Sequence, residues 1–266
     1  MEKNRILFWL AFLCLPTFFI YCSSSATSKV SSQIEDEVTD SANFVQRFVS
    51  LDSVVAYSAD DLYFEIVKGE VQSVKRMLPF VDDVNVFVRV SEDEHFVYSP
   101  LGVACKLGND EIIEELLAVP GIDLLLGCTD EIYEFDAVYV ALDSNRDSLF
   151  YKLIEHGADI DGIYTASGIT LLTVAIRNEN IPVVKYLLDY GGLSPNGTGS
   201  LGGAHHFLPL NMAVENKNLE MVQVLIERGA DPNVSDQQGI TPFSLARKLG
   251  YKEIELLLEA YVDFGN

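Results

Sequence analysis

Pro209-Leu210-Asn211-Met212-Ala213 returns 33 residues later as Pro242-Phe243-Ser244-Leu245-Ala246, and that return decides the fold. A fixed period of this length marks a chain built from stacked units. The sequence after each copy runs alike: Ala213 leads to Met221-Val222, Leu225-Ile226 and Gly229-Ala230-Asp231-Pro232-Asn233, and Ala246 leads to Ile254 and Leu256-Leu257-Leu258. The same frame extends upstream. Thr170-Leu171-Leu172-Thr173-Val174-Ala175 precedes Val183-Val184, Leu187-Leu188 and Gly191, while Ala141 precedes Leu149-Phe150, Leu153-Ile154 and Gly157-Ala158-Asp159. Ser99-Pro100-Leu101-Gly102-Val103-Ala104 precedes Ile112-Ile113 and Leu116-Leu117, and Asp61 to Leu78, with Gly69 in the turn, reads as a shorter opening unit. No unit of this size buries its apolar face alone, so the units must stack.

Each unit reads as a pair of helices. Ser or Thr followed by Pro starts the first, because the hydroxyl caps free backbone N–H groups and proline in the first turn forfeits no needed donor. Ala104, Ala141, Ala175 and Ala213 fall where two helices press together. Paired aliphatics such as Leu187-Leu188 lie on the second helix, and Gly157, Gly191 and Gly229 are placed to end it in a left-handed conformation.

On these residues the chain resembles the ankyrin-repeat family from about residue 59 to 264, in six units. The family pattern T-P-L-H-x-A-A is met in part: Thr241-Pro242 is complete, Ser99-Pro100 is close, and Asp136-Ala137 and Thr170-Leu171 have lost the proline. Its histidine is replaced by Gly102, Tyr139, Thr173, Asn211 and Ser244. The resemblance implies an all-α repeat solenoid of about six helix-turn-helix pairs joined by hairpin loops. It also implies a protein-binding surface on the exposed positions late in each first helix and on the hairpin tips. By register the helix positions are Lys106, Leu107, Asp143, Ser144, Arg177, Asn178, Glu215, Asn216, Lys248 and Leu249, and the tips include Tyr164, Thr165, Ser235, Gln237 and Gln238. Insertions around Tyr164 and Gly197 offer a loop as the alternative contact.

The 266 residues are 48% hydrophobic and 22% charged, enough apolar material for a sizeable core. The formal charge of -22, from 18 Lys plus Arg against 40 Asp plus Glu, repels phosphate backbones and argues against nucleic acid as a partner. Part of that charge keeps an exposed solenoid soluble.

Before the repeats the composition changes. Lys3 and Arg5 form a basic start, Ile6 to Tyr21 is mostly apolar and uncharged, and Cys22-Ser23-Ser24-Ser25 follows, which is the layout of an export signal. Pro16 interrupts the run, which is slightly short for a spanning helix. The placement of Cys22 is similar to a bacterial lipoprotein lipobox, in which the cysteine is acylated, although Tyr21 stands where that family has a small residue. Cleavage near Ser24-Ser25-Ala26 and an uncleaved anchor are the alternatives; all three export the chain. The expected organisation is a signal over 1–21, a flexible tether over 22–58 and the repeats over 59–264. The tether carries Glu35-Asp36-Glu37, and Phe44, Val45, Phe48 and Val49 share one face of a short helix if one forms there. This places a monomer at the cell envelope, touching the membrane only through its N-terminal lipid.

Signals of chemistry are weak by comparison. Gly197-Thr198-Gly199-Ser200-Leu201-Gly202 matches a nucleotide-binding pattern without the strand and helix that give it meaning. His205-His206 has no companion ligands at metal spacing, and pairs such as Asp60-Asp61, Asp82-Asp83 and Glu92-Asp93-Glu94 read as solvated surface. Of four cysteines, Cys14 lies in the signal and Cys22 is the acylation candidate, leaving Cys105 and Cys128 as core thiols or a single bridge. No cofactor and no catalysis are expected. The competing readings are an enzyme or ligand site on the 197–206 insertion and a structural spacer.

Overall fold

Polar side chains open the first helix of nearly every pair. Ser58, Ser99, Asp136, Thr170 and Thr241 each accept a hydrogen bond from the backbone N–H three residues on. Only the fifth pair departs, opening after Leu208 without a side-chain cap. The computed structural model describes residues 56–89, 95–130, 132–165, 168–197, 208–236 and 238–262. The signal, Cys22, the helix face at 44–49, the loop from Thr198 to His206 and Gln237 all lie outside the described residues.

Twelve α helices fall into six antiparallel pairs among the described residues. They are α1 (Ala59–Lys68) and α2 (Val71–Met77), α3 (Pro100–Leu107) and α4 (Asp110–Leu117), α5 (Ala137–Asp143) and α6 (Asp147–Glu155), α7 (Leu171–Arg177) and α8 (Ile181–Asp189), α9 (Pro209–Glu215) and α10 (Leu219–Glu227), and α11 (Pro242–Leu249) and α12 (Lys252–Glu259). This is the expected all-α solenoid. Odd-numbered helices pack successively on one another to form the inner layer, and even-numbered ones form the outer layer.

A turn of constant design joins the helices of each pair. Two residues before every even-numbered helix the backbone is left-handed, at Gly69, Gly108, Asn145, Glu179, Lys217 and Gly250, with φ between 54° and 75°. Asn145 tolerates this conformation, but Glu179 and Lys217 disfavour it, so geometry prevails at those two positions over local preference. The helix after the turn then begins on an asparagine in three pairs: Asn109, Asn180 and Asn218 accept from the N–H of Ile112, Val183 and Met221. Gly157 and Gly229 adopt the expected left-handed conformation at the end of the outer helix, with φ 91° and 89°. Gly191 does not. Gly192 takes that role at φ 64°, whereas a Cβ on Gly191 would lie 2.5 Å from the Leu187 carbonyl oxygen.

The core runs unbroken through the stack. Ala104, Ala141, Ala175 and Ala213, placed by register at the helix contacts, are fully buried, as are Leu62, Ile112, Leu142, Phe150, Leu153 and Leu187. Cys105 and Cys128 are both buried and both free, and burial pushes each thiol up to about 12. At the boundary with the expected tether, Tyr57 donates its N–H to the Phe80 carbonyl at 3.0 Å and Ser58 caps α1.

The hairpins contain an element the repeat pattern does not announce. β1 (Val97–Tyr98), β2 (Cys128–Thr129) and β3 (Glu134–Phe135) form a three-stranded antiparallel sheet in the order β1-β2-β3, with Val97 opposite Thr129 and Cys128 opposite Phe135. Stacking brings two successive hairpins side by side, and their backbone groups satisfy one another. The sheet lies tight against α3: Ser99 donates its N–H to the Gly127 carbonyl at 3.0 Å and its hydroxyl to the Leu126 carbonyl at 2.6 Å.

Candidate functional site

The left-handed turns define one equivalent position per pair, the residue two before the turn. Counting back from Gly108, Asn145, Glu179, Lys217 and Gly250 gives Lys106, Asp143, Arg177, Glu215 and Lys248, all exposed. The next residue in each pair is Leu107, Ser144, Asn178, Asn216 or Leu249. The ten residues assigned by register therefore form two adjacent columns on the inner helices. Leu107 and Leu249 expose 45% and 42% of their surface.

Several of these side chains are already engaged with the neighbouring pair. Asn178 donates through Nδ2 to the Leu142 carbonyl at 2.8 Å, Asn216 donates likewise to the Ile176 carbonyl at 3.0 Å, and Arg146 donates to the Leu107 carbonyl at 2.9 Å. The first two bonds add a second donor to carbonyls that already accept turn N–H groups, and the third serves the last carbonyl of α3. Arg177 donates to the Asp143 carboxylate, and both side chains remain about half exposed, so the pair is worth little to stability and is free to exchange partners. Lys106 donates to the Tyr98 hydroxyl at 2.9 Å and lies 4.3 Å from its ring centroid.

The tips require a correction. Tyr164, expected as an exposed tip residue, is only 8% exposed. Its ring stacks on Phe135 at 6.0 Å and meets Tyr139 at 4.9 Å, while its hydroxyl donates to Asp136 Oδ2 at 2.7 Å. The tyrosine folds back onto Asp136, a half-buried carboxylate that already caps α5 through Oδ1 and takes the hydroxyl as a second donor. Thr165 and Ser235 are half-buried, and Gln238 is exposed.

Aspartates build the tips instead. Asp83, Asp123, Asp130, Asp231 and Asp236 each accept from the backbone N–H two residues on, closing an Asx turn in hairpin after hairpin. Part of the acidic excess is thus turn architecture. The signal was present in the sequence as an Asp two residues before the bend in three of the five hairpins.

Burial pushes the Asp136 carboxyl up to about 6, against the opposing hydrogen bonds from Tyr164 and the Tyr139 N–H. The same burial, with the adjacent carboxylate, raises the Tyr164 hydroxyl. An unfolded aspartate loses its proton near pH ~3.9, so between there and about 6 the folded chain binds more protons. The stability this group contributes is therefore complete below about pH 4 and is lost as pH rises through about 6. Asp136→Asn keeps the cap and removes the titration. Urea unfolding from pH 4 to 7 should show the variant gaining about 2 kcal/mol on the wild type, and parallel profiles would refute the assignment.

Among the described residues no group of three or more His, Cys, Asp or Glu is arranged to hold a metal ion. The chain also aligns with known proteins. A family profile for ankyrin repeats, spanning three copies, matches residues 101–198 and again 135–236. The ankyrin repeat protein YahD of Escherichia coli is 36% identical over 94 residues, covering 34% of this chain and 45% of its own. This chain thus spans less than half the length of that relative. In three dimensions it is similar to an ankyrin repeat domain from Acinetobacter baumannii, at TM-score 0.60 and 26% identity over 75% of this chain and 96% of the other. It is also similar to a chain of the complex between a Bdellovibrio bacteriovorus predatory endopeptidase and an immunity protein, at TM-score 0.63 and 22% identity over 77% and 100% respectively. At that identity the second likeness concerns the fold.

Proposed function

The chain belongs to the ankyrin-repeat family, whose members mediate protein–protein interaction, and from that premise we propose an exported, lipid-anchored, non-catalytic protein that docks a protein partner at the cell envelope. One observation supports the docking surface above others: five successive inner helices present exposed polar or charged side chains at the same register, Lys106, Asp143, Arg177, Glu215 and Lys248. Large exposed arrays on a rigid scaffold suit recognition, because little conformational freedom is lost on binding. Leu107 and Leu249 add apolar contact at two of the pairs. The envelope location is supported by Lys3, Arg5, the apolar run from Ile6 to Tyr21 and Cys22, whose acylation would tether the repeats through the acidic stretch that follows.

The test is affinity capture from cross-linked cell envelopes, with a control bait carrying Arg177→Glu and Lys248→Glu. A partner retained by the wild type should bind the control at least about tenfold more weakly, a difference of about 1.4 kcal/mol. Recovery of the same proteins by both baits would move the contact off the inner helices. Metabolic labelling with a fatty acid, abolished by Cys22→Ser, tests the anchor independently.

A further inference from the structure

The inner column carries an ordered pattern of charge. From the second pair to the sixth it reads Lys106, Asp143, Arg177, Glu215 and Lys248, so the sign reverses at every step, and in the first pair the equivalent residue is Val67, 49% exposed. Three cations and two anions on this line stand against 18 basic and 40 acidic residues in the whole sequence. We propose that this column selects an α helix of a partner protein whose charged residues alternate in sign at every seventh position. The inference rests on the docking surface proposed above and specifies what that surface takes.

The spacing leads to a helix. Packed neighbouring helices stand roughly 8–10 Å apart, and a helix rises about 1.5 Å per residue, so one step along the column corresponds to about five to seven partner residues, seven at the wide end of that spacing. Seven residues also return to nearly the same face of a helix, whereas six do not. A single stripe of a helix laid across the inner layer therefore meets one column residue per repeat. Acid, base, acid, base, acid on that stripe would pair with Lys106 through Lys248, and an apolar residue one step further would cover Val67. The ion pair between Arg177 and Asp143, both about half exposed, shows that adjacent column positions are close enough to share a partner's charge. Sign alternation also sets register, because a shift by one repeat places like charges together.

The experiment uses the full chain and two labelled, alanine-rich helical peptides of roughly 30 residues. One carries Glu, Lys, Glu, Lys and Glu at seven-residue intervals, and the other exchanges every sign. Both patterns read the same in either direction, so chain polarity does not bias the result. By fluorescence anisotropy at low salt the first should bind at least tenfold more tightly, with the preference lost near ~0.5 M salt. The overall negative charge of the protein favours the second peptide, so nonspecific attraction works against the expected result. A variant combining K106E, D143K, R177E, E215K and K248E should reverse the preference, its fold being checked by circular dichroism. Equal binding of the two peptides to the wild type, or tighter binding of the second, overturns the inference without recourse to any variant. If the Arg177 and Lys248 reversals abolish capture of an envelope partner while the peptides bind alike, inner-face docking stands and the alternating helix does not.

Discussion

Gly102→Ala should cost at least about 3 kcal/mol of stability, a large share of the 5–15 kcal/mol typical of a domain. The added Cβ would stand 1.8 Å from the Gly127 carbonyl oxygen and 2.6 Å from its carbon, distances no relaxation of side chains can relieve because both atoms are backbone. The hairpin cannot withdraw. Ser99 holds it from one side through the bonds to Leu126 and Gly127, and Gly127 donates its own N–H to the Phe135 carbonyl at 2.9 Å. Behind it, a Cβ on Gly127 would meet the Asp136 carbonyl oxygen at 2.3 Å, so the two glycines form one tight sandwich of α3, hairpin and α5. Gly108→Ala is the instructive contrast: its nearest obstacle is the guanidinium of Arg146, the movable end of a long side chain, leaving mainly the strain of φ 73°. Urea unfolding of both variants decides the matter. A Gly102→Ala midpoint close to that of the wild type would mean the close approach does not exist.

Phe150→Ala should cost about 3–5 kcal/mol, the range for truncating a buried aromatic. Phe150 has no exposed surface, packs edge-on to Tyr151 at 5.1 Å and reaches across to Tyr186 of α8 at 6.0 Å. It therefore supports both its own pair and the seam to the next. In a stack held by nearest-neighbour contacts, weakening one seam lets the two halves unfold separately. The expected result is a lower midpoint together with a broader or two-step transition by circular dichroism. Tyr190→Ala, on the same outer face but 79% exposed, should leave a single sharp transition near that of the wild type. A Phe150→Ala variant with wild-type stability would refute the central position of this ring.

The period, the paired helices and most of their caps were legible because they depend on residues close in sequence. Ser99, Thr170 and Thr241 bond three residues ahead, and their signature is written in adjacent positions. The left-handed turns at Glu179 and Lys217 were not legible, since nothing in those side chains announces a conformation imposed by the packing of helices on either side. Which of the adjacent Gly191 and Gly192 is left-handed was not legible either, because both residues permit that conformation equally. Tyr164 failed as a tip residue because its partner Asp136 lies 28 residues earlier, and only the stack brings them together. The two columns at the ends of the inner helices follow from counting repeat to repeat, and the turns supply an independent count that gives the same residues. What counting missed is that Asn178 and Asn216 already hold the adjacent pair.

Cys105 and Cys128, buried and unpaired, carry a consequence for how the chain is made. Their thiols are kept protonated and sealed in the core, so no covalent cross-link between them is needed to close the stack. With both sulfurs buried as free thiols, the addition of a reductant to the folded protein should leave its unfolding midpoint unchanged.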